Sequence, residues 1–230
     1  MKDLIVQSKQ IVTLVGGGEV SSPLLETIRS LAPTLVAADG GANHALRAGW
    51  RPDAVIGDLD SISDDARAQI PTDRLHRIAE QDSTDFEKCL TRIRAPLVLG
   101  LGFMGPRTDH QLAAFHSLMR CADRRCILIG AHQLVFLCPP ELSFEATPGD
   151  LVSVFPLSQV AASSEGLEWP LDGVPLAPGQ MVGTSNRASS ARVRLICDQP
   201  GMLVILPGPA LDAVLPALSA AGSQWPARAE

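Results

Sequence analysis

The sequence predicts an α/β fold in which a parallel sheet with crossover helices is followed by a small antiparallel β-sandwich domain. Three observations carry that reading. Through about residue 138, short apolar runs alternate with helical patterns, the signature of a parallel sheet whose strands are covered on both faces. After residue 139 the texture changes to short strand-like runs separated by Gly, Pro and Ser, with no convincing helix until the very end. The length of 230 residues suits one large domain or two modest ones. The expected divisions are a domain over 1–139, a second over 140–207 and a tail over 208–230.

In the first domain, strands are expected at 11–15, 34–38, 54–56, 75–79, 96–101 and 125–129. Two helices announce their starts, because Thr84 with Glu87 and Thr108 with Gln111 both fit the capping-box spacing. Phe86, Cys89, Leu90 and Ile93 then form one apolar stripe, and Leu112, Phe115, Leu118 and Met119 another, both expected to face the core. In the second domain, strands are expected at 142–146, 151–155, 180–183, 191–196 and 202–206. The Ala- and Pro-rich tail is expected to pack on the surface or fray.

Composition removes several function classes. A hydrophobic fraction of 46% with 19% charged residues describes a folded chain with a sizeable core. The net charge of −6, with no Lys/Arg block longer than two, argues against a nucleic-acid surface. Cys89, Cys121, Cys126, Cys138 and Cys197 are odd in number and contain no C-x-x-C, which points to a reducing compartment and no zinc. The N-terminus lacks a signal-peptide core, and Pro207, Pro209, Asp212 and Pro216 interrupt the most apolar later stretch, so no membrane association and a cytoplasmic location are expected. No H-E-x-x-H or G-x-S-x-G occurs, and His116 reads as a packed core residue rather than a ligand.

Acidic chemistry is what remains. Asp39, Asp58, Asp60, Asp82, Asp85 and Asp109 all fall just after expected strands or at expected helix starts, where ligands bind in open parallel sheets. Carboxylates converging there repel one another unless a hard cation or protonation offsets the charge, and Mg²⁺ accepts a few carboxylates while filling its shell with water and phosphate oxygens. On an extended segment, Asp58 and Asp60 would point the same way and reach one ion. Lys88, one turn after Asp85, and Arg107, ahead of a helix N-terminus, outline a polyphosphate between metal and cation. Gly16-Gly17-Gly18 suits either a phosphate loop or a tight turn. Gly100-Leu101-Gly102-Phe103-Met104-Gly105 matches G-x-G-x-x-G, but no acidic residue for a ribose ends the next strand.

Together the motifs resemble those of the thiamine pyrophosphokinase family. The resemblance rests on Asp39-Gly40-Gly41-Ala42-Asn43, on Pro52-Asp53-Ala54-Val55-Ile56-Gly57-Asp58-Leu59-Asp60-Ser61, and on Gln81-Asp82-Ser83-Thr84-Asp85-Phe86-Glu87-Lys88. Gly149 to Ser153, Gly166 to Leu171 and Gly183-Thr184-Ser185-Asn186 continue it in order, so that it spans about residues 11–206. It implies a nucleotide-binding α/β domain ahead of the β-sandwich, and a homodimer with thiamine bound between one subunit's first domain and the other's second. It implies Mg²⁺ and phosphates on Asp58, Asp60 and Asp82, and ATP lined by Asp39, Lys88, Arg107 and Asp109. It places Gln81, Trp169, Ser185 and Asn186 at thiamine, and Asp58, Asp60, Asp82, Asp85, Lys88 and Asp109 at the reaction. Pro106 departs from the family pattern and lacks an N–H for phosphate.

The implied reaction is in-line attack of the thiamine hydroxyl on the β-phosphorus of ATP, with AMP leaving. Asp82, Asp85 and Asp109 are all candidates for its base. Two readings from other classes stand beside it. One is a dinucleotide-dependent oxidoreductase, resting on the Gly100 to Gly105 match; the other is a non-catalytic sensor of a phosphorylated ligand.

Overall fold

The structure is a computed structural model that describes residues 3–227. The chain forms two compact units, one made of residues up to Ser117 together with 128–130, the other of 118–127 and 131 onward.

In chain order the first unit contains β1 (Val6–Gln7), β2 (Val12–Val15), α1 (Ser22–Leu31), β3 (Thr34–Ala38), α2 (Gly41–Arg47), β4 (Ala54–Gly57), α3 (Asp64–Gln69) and β5 (Leu75–Arg77). It continues with α4 (Asp85–Arg92), β6 (Ile93–Arg94), β7 (Val98–Leu101) and most of α5 (Thr108–Arg120). Five of its strands run parallel in the order β7-β2-β3-β4-β5, while β1 pairs separately with β6. Every residue of β2, β4 and β7 is buried, as a sheet sandwiched by helices requires. Because the chain leaves β2 toward β3 and returns on its other side with β7, the sheet has a switch point at the carboxyl ends of β2 and β7.

The Thr84 cap forms as the sequence predicts: its hydroxyl accepts the Glu87 N–H at 3.1 Å, which stabilises α4 by about 1 kcal/mol. Phe86, Cys89, Leu90 and Ile93 are all buried. On α5 the stripe is different. Leu112 is 60% exposed and the buried positions are Ala114, Ser117 and Leu118, so the inward face is rotated toward smaller side chains. His116 is exposed and is no core residue. Helix α5 starts at Thr108 itself, with the Gln111 N–H donating to the Arg107 carbonyl at 3.1 Å.

The strand β8 (Cys126–Ile129) gives residues to both units. The second unit holds β9 (Gln133–Leu137), β10 (Glu141–Glu145), β11 (Ser153–Pro156), β12 (Ala162–Glu165), β13 (Arg192–Cys197), β14 (Met202–Pro207) and α6 (Leu211–Ala220). Two antiparallel arrays result, β11-β14-β9 and the separate sheet β10-β13-β12. The stretch expected as a strand at 180–183 makes only isolated bridges, Val154 with Gly183 and Leu176 with Met181, because the Pro178-Gly179 turn leaves too little extended chain. Within the described part of the tail, α6 buries Val214 and Leu218 and keeps Pro216 on its exposed face, and the Trp225 indole N–H donates to the Cys138 carbonyl at 2.8 Å. All five cysteines are buried and none is in a disulfide. Among the described residues no helix is long and apolar enough to cross a membrane.

Candidate active site

The acidic cluster is built by strand register. Strands β3 and β4 are parallel neighbours with Ala38 opposite Ile56, so Asp39 and Asp58, each just past a strand end, emerge side by side. The Asp39 N–H donates to the Ile56 carbonyl at 3.1 Å and the residue turns into the left-handed region, φ 43°, a conformation Asp tolerates better than most. Gly57 permits the approach, since a Cβ there would lie 2.8 Å from that of Asp39. Asp58 and Asp60 do converge, but not through extended backbone. Leu59 between them is left-handed, φ 65°, and the Asp60 N–H turns back to Asp58 Oδ1 at 3.4 Å while the Leu59 side chain enters the core.

Asp39, Asp58 and Asp60 each place one carboxylate oxygen within 4.8 Å of the others. Asp39 is thus the third member of this close group; Asp82 is exposed, with its N–H on Glu80 Oε2 at 2.9 Å. Asp39 is only 3% exposed, and burial raises its carboxyl above the ordinary range despite hydrogen bonds from Ser61, with the charges of Asp85 and Asp58 pushing the same way. Desolvation also pushes Asp58 up, but the Gln81 amide at 3.3 Å, the Asp60 N–H and the Lys88 charge together hold it below its usual value. Three oxygens this close, one of them desolvated, suit a hard divalent cation of the Mg²⁺ type, and the absence of sulfur or nitrogen from the set agrees.

One cation, Lys88, stands beside these acids. Lys88, 2% exposed, lies 3.0 Å from Asp85; burial alone would lower its pKa, but the Asp85 carboxylate more than offsets this, and the ammonium stays charged. Arg107 and Asp109 form an exposed pair with Arg107 Nε 3.2 Å from Asp109 Oδ1, each stabilising the other's charged form. Glu80 shapes the loop ahead of α4 by accepting the N–H groups of Asp82 and Ser83.

The glycine loops have a packing explanation. The N–H groups of Gly16 and Gly18 donate to the carbonyls of Leu101 and Gly102 at 2.8 and 3.0 Å. Gly102 is left-handed, φ 75°, and a Cβ on it would lie 2.7 Å from the Gly16 carbonyl oxygen. Gly16, Gly18 and Gly102 therefore serve the close contact of two loops at the switch point, while Gly17 and Gly105 have open space around them.

In the second unit, Trp169 is 54% exposed and so is no core residue. Its backbone is held by the buried Asn186, whose Nδ2 donates to the Trp169 carbonyl at 2.7 Å and whose Oδ1 accepts the Trp169 N–H at 3.2 Å. Ser185 is exposed and left-handed, with its N–H on Ser153 Oγ at 2.9 Å. Among the described residues, five of the seven exposed large hydrophobics fall in this unit: Leu151, Phe155, Trp169, Met181 and Val182. Their segments are tied by the bridges Leu151 to Arg187 and Val154 to Gly183.

Two contributors were not singled out from the sequence. Ser61 donates its N–H to Asp39 Oδ2 at 3.1 Å and its hydroxyl to Asp60 Oδ1 at 2.9 Å, and Asn43 holds the following turn. Both stand inside the quoted motifs, but a short polar side chain beside glycines or aspartates reads first as a turn former.

Comparison with known proteins gives one answer. Residues 25–129 match the family model "Thiamin pyrophosphokinase, catalytic domain", and 141–201 match "Thiamin pyrophosphokinase, vitamin B1 binding domain". Thiamine pyrophosphokinase 1 of Oryza sativa subsp. japonica is 28% identical over 197 residues, covering 71% of this chain and 75% of its own. Thiamin pyrophosphokinase 1 of Caenorhabditis elegans is 27% identical over 194 residues, 74% and 77% of the two chains. The fold is similar to the crystal structure of thiamin pyrophosphokinase from Geobacillus thermodenitrificans, with TM-score 0.69 and 24% identity over 86% of this chain and 96% of that one. It is equally similar to that of yeast thiamin pyrophosphokinase, with TM-score 0.71 and 18% identity over 89% and 92%. With both family models matched in order over most of its length, the chain belongs to the thiamin pyrophosphokinase family.

Proposed function

We propose that the acidic basin at the ends of β3 and β4 is where this chain, an enzyme by its family, transfers a pyrophosphoryl group from ATP to the hydroxyl of thiamine. The observation that carries the assignment is the convergence of Asp39, Asp58 and Asp60 beside the buried cation Lys88. Asp39, Asp58 and Asp60 would hold Mg²⁺, with Asp82 and Gln81 close by in sequence on the loop ahead of α4. When bound, the ion neutralises phosphate charge and polarises phosphoryl oxygens.

The chain's own groups do the positioning. The thiamine oxygen forms a bond to the β-phosphorus as the bond from that phosphorus to the bridging α-phosphate oxygen breaks, and AMP leaves. Lys88, fixed by Asp85, and Arg107, fixed by Asp109, present positive charge to phosphates. The hydroxyl proton passes to a carboxylate or to solvent, with Asp82, Asp85 and Asp109 as the candidate acceptors, and a loose transition state asks little of that base. Trp169 offers an exposed indole face to a ring that is cationic and flat, held in place by Asn186, with Ser185 exposed beside it.

The exposed apolar set on the second unit supports a homodimer in which thiamine lies between the first unit of one copy and the second unit of its partner. Five buried cysteines outside any disulfide support work in the reducing cytoplasm. The test is incubation with ATP, Mg²⁺ and thiamine: AMP and thiamine pyrophosphate are the expected products, and ADP would overturn the reading.

A further inference from the structure

We propose that Asn43 and Ser61 form a brace that sets the spacing of the Asp39, Asp58 and Asp60 carboxylates, making both of them positioning residues for the divalent cation. The inference rests on the metal assignment above and goes beyond it, because neither residue touches the ion.

Helix α2 gives the brace a fixed base. A Cβ at Gly41 would lie 2.0 Å from the Val15 carbonyl oxygen, so the first turn of α2 is pressed against the end of β2. Asn43, in that turn, spends its whole amide on the chain that follows Asp60. Its Nδ2 donates to the Ser61 carbonyl at 2.9 Å, and its Oδ1 accepts both the N–H and the hydroxyl of Ser63 at 3.0 Å. Ser61, gripped through its carbonyl, carries the constraint to the acids. Its N–H points to Asp39, with Oδ2 at 3.1 Å, and its hydroxyl points to Asp60, with Oδ1 at 2.9 Å. Asn43, Ser61 and two of the three carboxylates are thus one hydrogen-bonded chain. Left-handed Leu59, φ 65°, is the strained link that this chain holds in place.

Without the brace, three like charges within 4.8 Å would relax apart in the metal-free protein. Re-gathering them on binding would then weaken affinity, as loss of an outer-shell partner does at other metal sites, by roughly 10–100-fold.

The test uses the full chain without nucleotide or thiamine and Mn²⁺ as a spectroscopic stand-in for Mg²⁺, with free ion read by EPR. Asn43→Ala is expected to raise the Mn²⁺ Kd about tenfold or more and to lower kcat at fixed Mg²⁺, with the thiamine KM unchanged and excess Mg²⁺ restoring part of the rate. Ser61→Ala, at an exposed position where a fold defect is not expected, should weaken Mn²⁺ severalfold by removing only the bond to Asp60. Ser63→Ala is the control: it removes the N-cap of α3 and one bond to Asn43, so it should lower Tm while leaving the Mn²⁺ Kd within twofold. A Kd within twofold of wild type for folded Asn43→Ala overturns the brace. If that variant does not fold, an unchanged Kd for Ser61→Ala overturns it. A wild-type chain that takes up no Mn²⁺ overturns the metal assignment itself, and the brace with it.

Discussion

The acidic end of the first unit and the exposed apolar set of the second pose opposite problems. At the first, Asp39, Asp58 and Asp60 are drawn together by strand register, a left-handed Leu59 and the hydrogen bonds of Ser61 and Asn43, so the fold holds charges where electrostatics alone would separate them. At the second, Leu151, Phe155, Trp169, Met181 and Val182 leave apolar area in water where burial would be favoured. The first region holds more negative charge than Lys88 offsets, and the second lacks a covering surface. On the proposed function, a cation and a triphosphate would meet one need, and thiamine with a second copy of the chain would meet the other.

The sharpest way to break this contrast is at the acids. Asp60→Asn is expected to cut kcat by 100-fold or more, because the group acts electrostatically, while Tm stays the same or rises as repulsion among the three carboxylates is relieved. Measured together, turnover and thermal unfolding separate the roles. A large fall in Tm with modest loss of turnover would make Asp60 a structural residue instead.

Trp169→Ala probes the other side. Loss of the indole face removes roughly 1–2 kcal/mol of stacking or cation–π contact, which raises the thiamine KM about tenfold and leaves the ATP KM near its starting value. The two variants also test each other. Chains carrying Trp169→Ala, mixed with chains carrying Asp60→Asn, should regain part of the activity, since one composite site then combines an intact first unit with an intact second unit. No recovery in confirmed mixed dimers would show that each copy builds its own site.

The two regions were legible in the sequence to different degrees. Asp39 and Asp58 could be read because each follows a short, largely apolar strand, and a parallel sheet brings strand ends together whatever the loops do. The local path from Asp58 to Asp60 could not, since alternation on an extended strand and a left-handed turn both give two neighbouring carboxylates. Thr84 was readable from its cap, whereas on α5 the small residues Ala114 and Ser117 took the core face and left Leu112 outside, a choice made by tertiary packing. In the second unit β12, with the sequence Ala-Ser-Ser-Glu, shows no apolar alternation and exists through its pairing with β13. Helix α6 was hidden by Pro216, which is tolerated on the exposed face while Val214 and Leu218 are buried. A large aromatic such as Trp169 suits a core as well as a ligand, and its exposure argues against the core.

Smaller effects sharpen the apolar half of the contrast. Phe155→Glu places a charge on the exposed face of β11, beside its bridge to the 181–185 segment. In a dimer that covers this face the carboxylate would be desolvated without a partner, so sedimentation should show a shift toward monomer, and the thiamine KM should rise in step with dissociation. The fold should survive, because Phe155 is partly exposed, at 38%, in the single chain. A dimer of unchanged affinity would move the interface elsewhere.

The smallest expected effect is the most informative about what makes a surface a docking surface. Leu31 is also a large exposed apolar residue, at 41%, but it stands in the last turn of α1 in the first unit, away from the sequence segments that carry the apolar set. If exposed apolar area as such drove association, Leu31→Ser would weaken the dimer as Phe155→Glu does. If what matters is five such side chains on segments tied to one another by β-bridges, Leu31→Ser should leave the oligomeric state, both KM values and kcat unchanged, and move stability by no more than about 0.5 kcal/mol. Sedimentation and thermal unfolding of the two variants side by side make the comparison. A dimer weakened by Leu31→Ser to the same degree would mean that association does not depend on the clustered face, and it would remove the physical support for sharing thiamine between copies.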